Sequence, residues 1–574
     1  MPFERGRAMR FASWASWLAV GSAIFLSACG GKPGKPAAAL DSSSPLLSDG
    51  SKQVETGSAV MPPGINSSCS NGRMLVTYGR QYGASRMAST DLTCYLNGSA
   101  GCFSEQSASE LSGDNITFTS SREWNGQGQP QNFSCKPNQE PTQSIPRDNI
   151  WYTDSLMTRV ATSDLLHIYL VMANHPPKTP VPNRLDKTKP VGCNNPFTTC
   201  SLAVVRSTDC GNNWVKKTVI DLNDPNFMGG AWAVPEWDAQ GNTGQGGYAI
   251  DRPEVWVDPF FPFPVKTTVF LTAAIRLGPK AGKTMVLKSF DGGDDWLTPA
   301  LLPGQNANNG GNPTVITTTP NHRVYAFRCE GTEPKLYWSD DYGATFKDNN
   351  SATFKYQDQT LSKPLDCGQV ASSNLQDGVL AGSPSVGIAR WGASNLDDVL
   401  VMYSGVVNNQ QVAAVMMVVT RTAGDENPTV NSELLIKGDS GHSILQATFV
   451  PTDRFEFHPD ENNDALYDAT LIYWMDVPAK GASTANYMAV RRGLLWTDKS
   501  ALAVKNGAAY TWSWNLDSTN PFIGDYNRGS FIYADLSGKN KPPQLHFFTT
   551  WEQSTPGDTT NVLIHSNMVN WSEP

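Results

Sequence analysis

Apolar and polar residues alternate in short runs along most of this chain, and turns rich in Gly, Asn, Asp and Pro separate the runs. Clear examples are LAVVR at 202–206, TMVLK at 284–288 and KLYWS at 335–339. Alternation with a period of two predicts β-strands, and stretches with a helical period are nearly absent. The pattern therefore predicts an all-β chain.

A turn motif, Ser-x-Asp-x-Gly-x-x-aromatic, follows three of these strands, with copies that begin at Ser207, Ser289 and Ser339. In such a turn the Asp carboxylate can accept backbone N–H groups, the Gly permits a positive φ, and the aromatic ring can pack beneath the turn. The motif residues that we expect to be structural rather than catalytic are Asp209, Trp214, Asp291, Trp296, Asp341 and Phe346.

These three copies resemble the Asp-box, or BNR, repeat of the sialidase (neuraminidase) superfamily of β-propellers, and the resemblance covers about residues 146–574. Two further elements are similar to that family: Asp251-Arg252-Pro253 at the start of a predicted blade, and Gly-Asp-Tyr at 524–526. The resemblance implies a six-bladed propeller over 146–574, preceded by an irregular, disulfide-containing N-terminal region at 66–145. The strand runs assign the blades to 148–222, 250–303, 311–352, 381–437, 443–512 and 520–570.

The resemblance also implies a set of site residues. Enzymes of this superfamily clamp a substrate carboxylate with three Arg and use a Tyr nucleophile, helped by a Glu, together with an Asp acid/base. The implied catalytic residues are Tyr526, Asp251 and Glu254, with Glu552 as a second possible helper, and the implied substrate-binding residues are Arg252, Arg147, Arg276 and Arg421. The family's Arg-Ile-Pro element has its letters in another order here, Ile145-Pro146-Arg147.

Two functions stay open at this point. One is an exo-acting glycoside hydrolase of sialic or other acidic sugars, and the other is a non-catalytic propeller that binds glycan or protein, or scaffolds an envelope assembly. Each implied site residue could instead be a solvated or salt-bridged side chain. The expected partner is a carbohydrate or a cell-envelope protein, and the expected state is a monomer.

Composition excludes several other classes. Aromatic residues make up 10% of the 574 residues, which excludes disorder as the main state of the chain. A net charge of −9 leaves no basic face for nucleic acid or for an anionic lipid surface.

The first 30 residues resemble a bacterial lipoprotein signal. Three Arg precede a short apolar stretch at 11–25, which ends in Leu-Ser-Ala-Cys at 26–29. This pattern predicts a signal peptide at 1–28, lipidation of Cys29, and a flexible, Gly/Pro/Ser-rich tether at 29–65, with a generic signal-peptidase site as the alternative. Membrane contact is then expected through the N-terminal lipid alone. No Asp follows Cys29, so the outer membrane is favoured over the inner by similarity to enterobacterial sorting.

The remaining nine Cys fit an oxidising compartment. The expected disulfide pairs are Cys94/Cys102, Cys193/Cys200, Cys69/Cys135 and Cys329/Cys367, with Cys210 as the free thiol. No cofactor is expected. Asp460, Asn462 and Asp464 are spaced like the start of a calcium loop, although an acidic surface loop is the favoured interpretation.

Overall fold

A computed structural model describes a part of the chain that contains the strands and their shorter connections. The described residues are 44–45, 53–61, 70–80, 86–92, 104–112, 115–120, 151–152, 157–162, 165–174, 201–211, 214–221, 249–258, 268–277, 280–304, 313–348, 354–357, 361, 363–367, 385–391, 397–420, 427–439, 441–449, 455–457, 467–478, 487–497, 502–506, 510–513, 530–535, 544–554 and 562–571. Every secondary-structure element of these residues is a β-strand, so the all-β prediction is confirmed for them.

The strands are numbered in chain order. They are β1 (Ser44–Pro45), β2 (Gln53–Met61), β3 (Arg73–Arg80), β4 (Arg86–Asp91), β5 (Ser104–Ser112), β6 (Asn115–Ser120), β7 (Trp151–Tyr152), β8 (Met157–Thr162), β9 (Leu165–Asn174), β10 (Ser201–Ser207), β11 (Trp214–Asp221), β12 (Ala249–Val257), β13 (Val269–Leu277), β14 (Thr284–Ser289), β15 (Ala300–Leu301), β16 (Val315–Thr318), β17 (Val324–Glu330), β18 (Glu333–Ser339), β19 (Lys347–Asp348), β20 (Val386–Arg390), β21 (Val399–Val407), β22 (Gln410–Val419), β23 (Thr429–Ile436), β24 (His442–Phe449), β25 (Phe455–Phe457), β26 (Tyr467–Pro478), β27 (Tyr487–Thr497), β28 (Leu502–Asn506), β29 (Tyr510–Ser513), β30 (Ser530–Asp535), β31 (Gln544–Ser554) and β32 (Val562–Trp571).

Antiparallel four-stranded units repeat along the chain. Unit 1 is β2–β5, unit 2 is β8–β11, unit 3 is β12–β15, unit 4 is β16–β19, unit 5 is β20–β23, unit 6 is β24 with β26–β28, and unit 7 is β30–β32 completed by β1. Units 1 and 2 belong to one ten-stranded sheet, because β6 pairs with both β5 and β11. In unit 7, Ser44 of β1 pairs with Ser566 of β32, which ties an N-terminal segment to the last strand.

The first strands of successive units lie side by side. β2 contacts β8, and the series continues through β12, β16 and β20 to β24. β2 also contacts β30, so unit 7 adjoins unit 1. The first strands therefore share one region of the molecule, and the later strands of each unit lie progressively farther from it.

Two predictions about the N-terminal half differ from the structure. Units 2 to 6 and three strands of unit 7 match the six predicted blade ranges to within one residue. Unit 1 precedes them and β1 completes unit 7, so a count of six blades is not confirmed. Strands β3–β6 are regular elements inside 66–145, where an irregular region was expected, and β1 and β2 lie inside the predicted tether at 29–65. Strands β2 (QVETGSAVM) and β5 (SEQSASELS) consist mostly of small and polar residues, so they show little apolar alternation in the sequence.

The core lies between neighbouring sheets. One cluster joins units 3 and 4 around Phe270 and Tyr337, a second joins units 4 and 5 around Trp338 and Tyr403, and a third joins units 5 and 6 around Trp474. These clusters cover both faces of units 4 and 5, so the central strands of these sheets are buried along most of their length, as in β21 and β22. This explains why the central strands contain continuous apolar runs.

The cysteine predictions have two outcomes within the described residues. A disulfide joins Cys329 at the end of β17 to Cys367, which confirms that pairing. Cys210 was wrongly predicted to be the free thiol, because it is disulfide-bonded. It is completely buried with φ 65°, and a tight turn does not prevent a buried Cys from reaching a partner. The side chains of the other predicted pairs lie outside the described residues.

Residues 1–28 and Cys29 also lie outside the described residues, as do the proposed calcium ligands Asp460, Asn462 and Asp464. Among the residues that are described, no helix has the length and apolar character needed to cross a bilayer. Within the same part of the chain, no three His, Cys, Asp or Glu side chains are grouped so that they could hold a metal ion.

Candidate functional site

The three Ser-x-Asp-x-Gly turns connect the third and fourth strands of units 2, 3 and 4, and they share one hydrogen-bond pattern. In the third copy, Ser339 Oγ donates to Asp341 Oδ1 at 2.7 Å and accepts the Gly343 N–H at 2.6 Å. Asp341 Oδ1 also accepts the N–H groups of Ala344 and Thr345 at 3.0 and 2.8 Å. The first two bonds recur for Ser207 with Asp209 and Gly211, at 2.9 and 2.7 Å, and for Ser289 with Asp291 and Gly293, at 2.7 and 2.8 Å.

The electrostatics of Asp341 agree with a structural role. Partial burial would by itself raise the pKa of this carboxyl, but hydrogen bonds from Thr345, Ser339 and Ala344 outweigh it and lower the pKa to about 2. A carboxylate held ionised by four hydrogen bonds within its own turn is a poor general acid. These hydrogen bonds hold the backbone of the turn in place.

A basic residue links each of two turns to the preceding unit. Arg206, one residue before Ser207, donates from Nη1 to the Gly292 carbonyl of the next unit's turn at 3.0 Å. Lys288, one residue before Ser289, donates from Nζ to the Tyr342 carbonyl at 3.0 Å. Gly292 and Tyr342 occupy the same position, the fourth, of their turns. Sequence reasoning missed this link, although aligning the first two copies with their flanking residues brings the two basic residues into register.

The strongest local distortion at a predicted site residue is in β12, the first strand of unit 3. Asp251 is opposite Ala274 and Glu254 is opposite Thr272, so β12 contains one extra residue, which is a β-bulge. Arg252 lies in this bulge with φ 53° and is 7% exposed, and Glu254 is half-buried. A long side chain in the left-handed region is uncommon, and such strain often marks a functional site.

A second bulge of the same kind occurs in β24, the first strand of unit 6. Leu445 is opposite Met475 and Thr448 is opposite Tyr473. Gln446 lies between them with φ 49° and is 5% exposed. No motif in the sequence pointed to Gln446, because a bulge is defined by the register of the neighbouring strand.

Some of the predicted site residues lie close together in one sheet, and others lie outside the described residues. Asp251, Arg252 and Glu254 lie together in β12. In the adjacent strand β13, Ile275 is opposite Ile250, and Arg276 is the next residue. The backbone therefore brings these four positions to neighbouring parts of one sheet. Arg147, Arg421 and Tyr526 lie outside the described residues.

A buried Arg–Glu–Tyr group lies between units 3 and 4 and was not predicted. Arg328 of β17 is completely buried, and its Nε donates to Glu330 Oε1 at 3.0 Å. Its Nη1 donates to Thr284 Oγ1, and its Nη2 donates to Glu330, to the Tyr337 hydroxyl and to the Pro303 carbonyl. Because all three nitrogens donate to protein groups, we interpret this Arg as a link between sheets rather than a ligand contact.

A second charged group lies at the turn end of units 4 and 5. Arg323 Nε donates to Asp340 Oδ1 at 2.6 Å and lies 3.9 Å from Asp397 Oδ2. Burial, with a smaller contribution from the negative charge of Asp397, raises the pKa of Asp398 to about 6, although the Thr420 N–H donates to its Oδ1 at 3.1 Å and opposes the shift.

Comparisons with known proteins identify no family for this chain. No family model matches it, and no match was found among curated proteins. Among solved structures, it is similar to the GH93 α-L-arabinofuranosidase of Fusarium graminearum, with 12% identity over 72% of this chain and 92% of that one, and a TM-score of 0.33. It is also similar to the NanB sialidase of Streptococcus pneumoniae, with 8% identity over 95% and 98% of the two chains and a TM-score of 0.35. The core factor of S. cerevisiae matches as well, with 8% identity over 95% of this chain and 63% of that one, and a TM-score of 0.36. These three proteins differ widely in kind but have similar, low TM-scores, so the likenesses do not indicate a function for this chain.

Proposed function

We propose that this chain is a carbohydrate-directed β-propeller whose axial site takes an acidic sugar. In this proposal the units form a ring that closes between units 6 and 7, the first strands line its axis, and the three turns are Asp boxes. The contacts between successive first strands and the pairing of β1 with β32 support a ring. The observation that carries the functional proposal is the β12 bulge, where Arg252 lies in a strained conformation on a first strand.

The chemistry of the bulge residues suits a sugar carboxylate. A guanidinium presents two parallel N–H donors that match the two oxygens of a carboxylate, and the pairing is stronger where water is excluded. The adjacent strand β13 contains a second arginine, Arg276. Glu254 is half-buried two residues from Arg252, so the bulge carries a carboxylate as well as a guanidinium.

Hydrolysis is the finer proposal, with Tyr526 as nucleophile and Asp251 as acid/base. Three tyrosines that are buried in the sheets, Tyr325, Tyr337 and Tyr403, do not provide an activated phenol. Burial raises the pKa of Tyr325 to about 12, and it also raises the pKa values of Tyr337 and Tyr403. A non-catalytic glycan-binding propeller is therefore the alternative outcome, in which Arg252 binds the sugar and no bond is broken.

The test is turnover of fluorogenic 4-methylumbelliferyl glycosides, including a sialoside and a glucuronide, by the full chain purified in detergent. We expect release of the fluorophore from an acidic glycoside. The rate of release should fall by at least about a hundredfold in Tyr526→Phe and by a similar factor in Arg252→Lys, which keeps the positive charge but lacks the two parallel N–H donors of a guanidinium. Arg73→Gln, in unit 1, is the matched control. Binding of the acidic sugar without turnover would select the non-catalytic alternative, and neither binding nor turnover would refute the proposal.

We also propose that Cys29 anchors the chain to the outer membrane as a lipoprotein. Labelling of growing cells with an alkynyl fatty acid should mark the wild-type chain and not Cys29→Ser. Equal labelling of both chains would refute the anchor.

A further inference from the structure

One turn position has the same backbone conformation in all three copies and very different side chains. The fourth residue of each turn has a positive φ: 65° at Cys210, 76° at Gly292 and 59° at Tyr342. Glycine adopts this conformation without strain, whereas a large side chain does not. The third turn therefore retains an aromatic residue at a position where its neighbour has glycine.

The ring at this position is exposed. Tyr342 is 40% exposed and Leu297 is 44% exposed, and they are the two exposed large hydrophobic residues of the described part of the chain. Lys288 connects them, because it donates from Nζ to the Tyr342 carbonyl at 3.0 Å and its own carbonyl accepts the Leu297 N–H at 2.9 Å. The two apolar side chains therefore belong to the same end of units 3 and 4.

A second ring accompanies Tyr342. The centroid of the His322 ring lies 6.0 Å from that of Tyr342, with an interplanar angle of 46°. His322 also has a left-handed backbone, with φ 65°. Two neighbouring residues thus hold rings at this surface with backbone conformations that few side chains adopt.

The charges around the rings favour a neutral ligand. The exposed acidic residues at this end are Asp294, Asp295, Asp340 and Asp341. The cations at this end are engaged: Lys288 is only 8% exposed and donates to the Tyr342 carbonyl, and both Arg323 and Lys347 pair with Asp340. Carboxylates accept hydrogen bonds from hydroxyl groups and repel other anions. The C–H face of a pyranose ring is apolar and packs on an aromatic ring, while its hydroxyl groups need acceptors at the edge.

We propose that Tyr342, with His322 and Leu297, forms a binding surface for a neutral oligosaccharide at the turn-bearing end of units 3 and 4. This surface is separate from the β12 bulge, and it does not depend on the acidic-sugar proposal. It would hold a glycan chain by stacking rather than by a guanidinium clamp.

Titration of the full chain with cellohexaose, laminarihexaose and maltohexaose tests the proposal. We expect at least one of them to bind, with an affinity about tenfold lower in Tyr342→Gly. Glycine suits φ 59°, as at Gly292, so this variant removes the ring without adding strain. Tyr342→Phe keeps the ring and should bind within about threefold of the wild type.

Arg252→Lys distinguishes the neutral-sugar surface at Tyr342 from the acidic-sugar site at Arg252. It should leave the affinity for the neutral hexasaccharides unchanged, even if the acidic-sugar proposal fails. The surface is refuted if none of the three hexasaccharides binds, or if Tyr342→Gly binds them as the wild type does. Binding of hexagalacturonate that is lost in Tyr342→Gly would overturn the assignment to neutral sugars.

Discussion

Replacing Lys288 by Met removes the hydrogen bond between Lys288 and the Tyr342 carbonyl, which links units 3 and 4, and leaves the rest of the third turn unchanged. The ammonium donates to the Tyr342 carbonyl at 3.0 Å and lies 5.7 Å from the centre of the Phe290 ring. Met keeps most of the length and packing of the side chain but removes the donor and the charge. The third turn then loses its polar contact with the preceding unit, while its own Ser339–Asp341 bonds remain.

The expected loss follows from the environment of this ammonium. A hydrogen bond to a charged group contributes about 1.5–3 kcal/mol. Burial lowers the pKa of Lys288 against the opposing attraction of Asp341, so the charged form bears a desolvation penalty that Met removes. We therefore expect a loss near or just below the lower end of that range, about 1–2 kcal/mol.

Hydrogen–deuterium exchange of the 339–346 segment measures this loss locally, without assuming that so large a chain unfolds in two states. A decrease of about 1–2 kcal/mol in the free energy of local opening speeds exchange about five- to thirtyfold. The control is Lys347→Met, because Lys347 is exposed and forms an ion pair with the exposed Asp340 at 3.3 Å. Its effect should be below about twofold. Unchanged exchange in a folded Lys288→Met variant would refute the link.

Three further predictions concern stability. Asp398 has a pKa of about 6 in the folded state against an ordinary 3.8, so the folded state binds its proton more tightly and stability falls as the pH rises between these values. Asp398→Asn keeps the acceptor for Thr420 and should be more stable than the wild type by about 1–2 kcal/mol at pH 7, but not at pH 4. A lower Tm of the variant at pH 7 would contradict this. Asp341 has a pKa of about 2, so its contribution to stability is complete above its ordinary pKa of 3.8 and is lost as the pH falls through about 2. After solvent screening we expect this contribution to be about 1 kcal/mol, so the acid-unfolding curves of the wild type and of Asp341→Asn should converge near pH 2. Curves that stay parallel would refute this prediction. A Cβ at Gly405 would lie 2.5 Å from the Asp366 carbonyl oxygen, so Gly405→Ala should lower stability by about 2 kcal/mol or more by thermal denaturation, whereas an unchanged Tm would show that the 363–367 segment moves aside freely.

The sequence predicts the local features of this fold well. Alternation located strands in each of the six expected ranges, because a strand between two sheets must be apolar enough to pack. The role of Asp341 could be predicted for the same reason, since its partners Ala344 and Thr345 lie within four residues. The Cys329–Cys367 bond joins residues 38 apart and was one of the expected pairings.

Features that depend on distant residues could not be predicted. The bulges at Arg252 and Gln446 exist only relative to the neighbouring strands, so no pattern within β12 or β24 reveals them. The contact of Lys288 with Tyr342 spans 54 residues and two units. The motif marked Arg252 as a site residue, but only the register gave its strained backbone.

The central claim is that Arg252 at the β12 bulge binds the carboxylate of an acidic sugar, and its most direct test is the affinity of the full chain for free acids and their methyl esters. Isothermal titration with N-acetylneuraminate, glucuronate and galacturonate, each beside its methyl ester, makes the comparison. The account predicts that at least one free acid binds about tenfold or more tightly than its ester, and that Arg252→Gln abolishes the difference. Equal binding of acid and ester, or a difference that persists in Arg252→Gln, would contradict it.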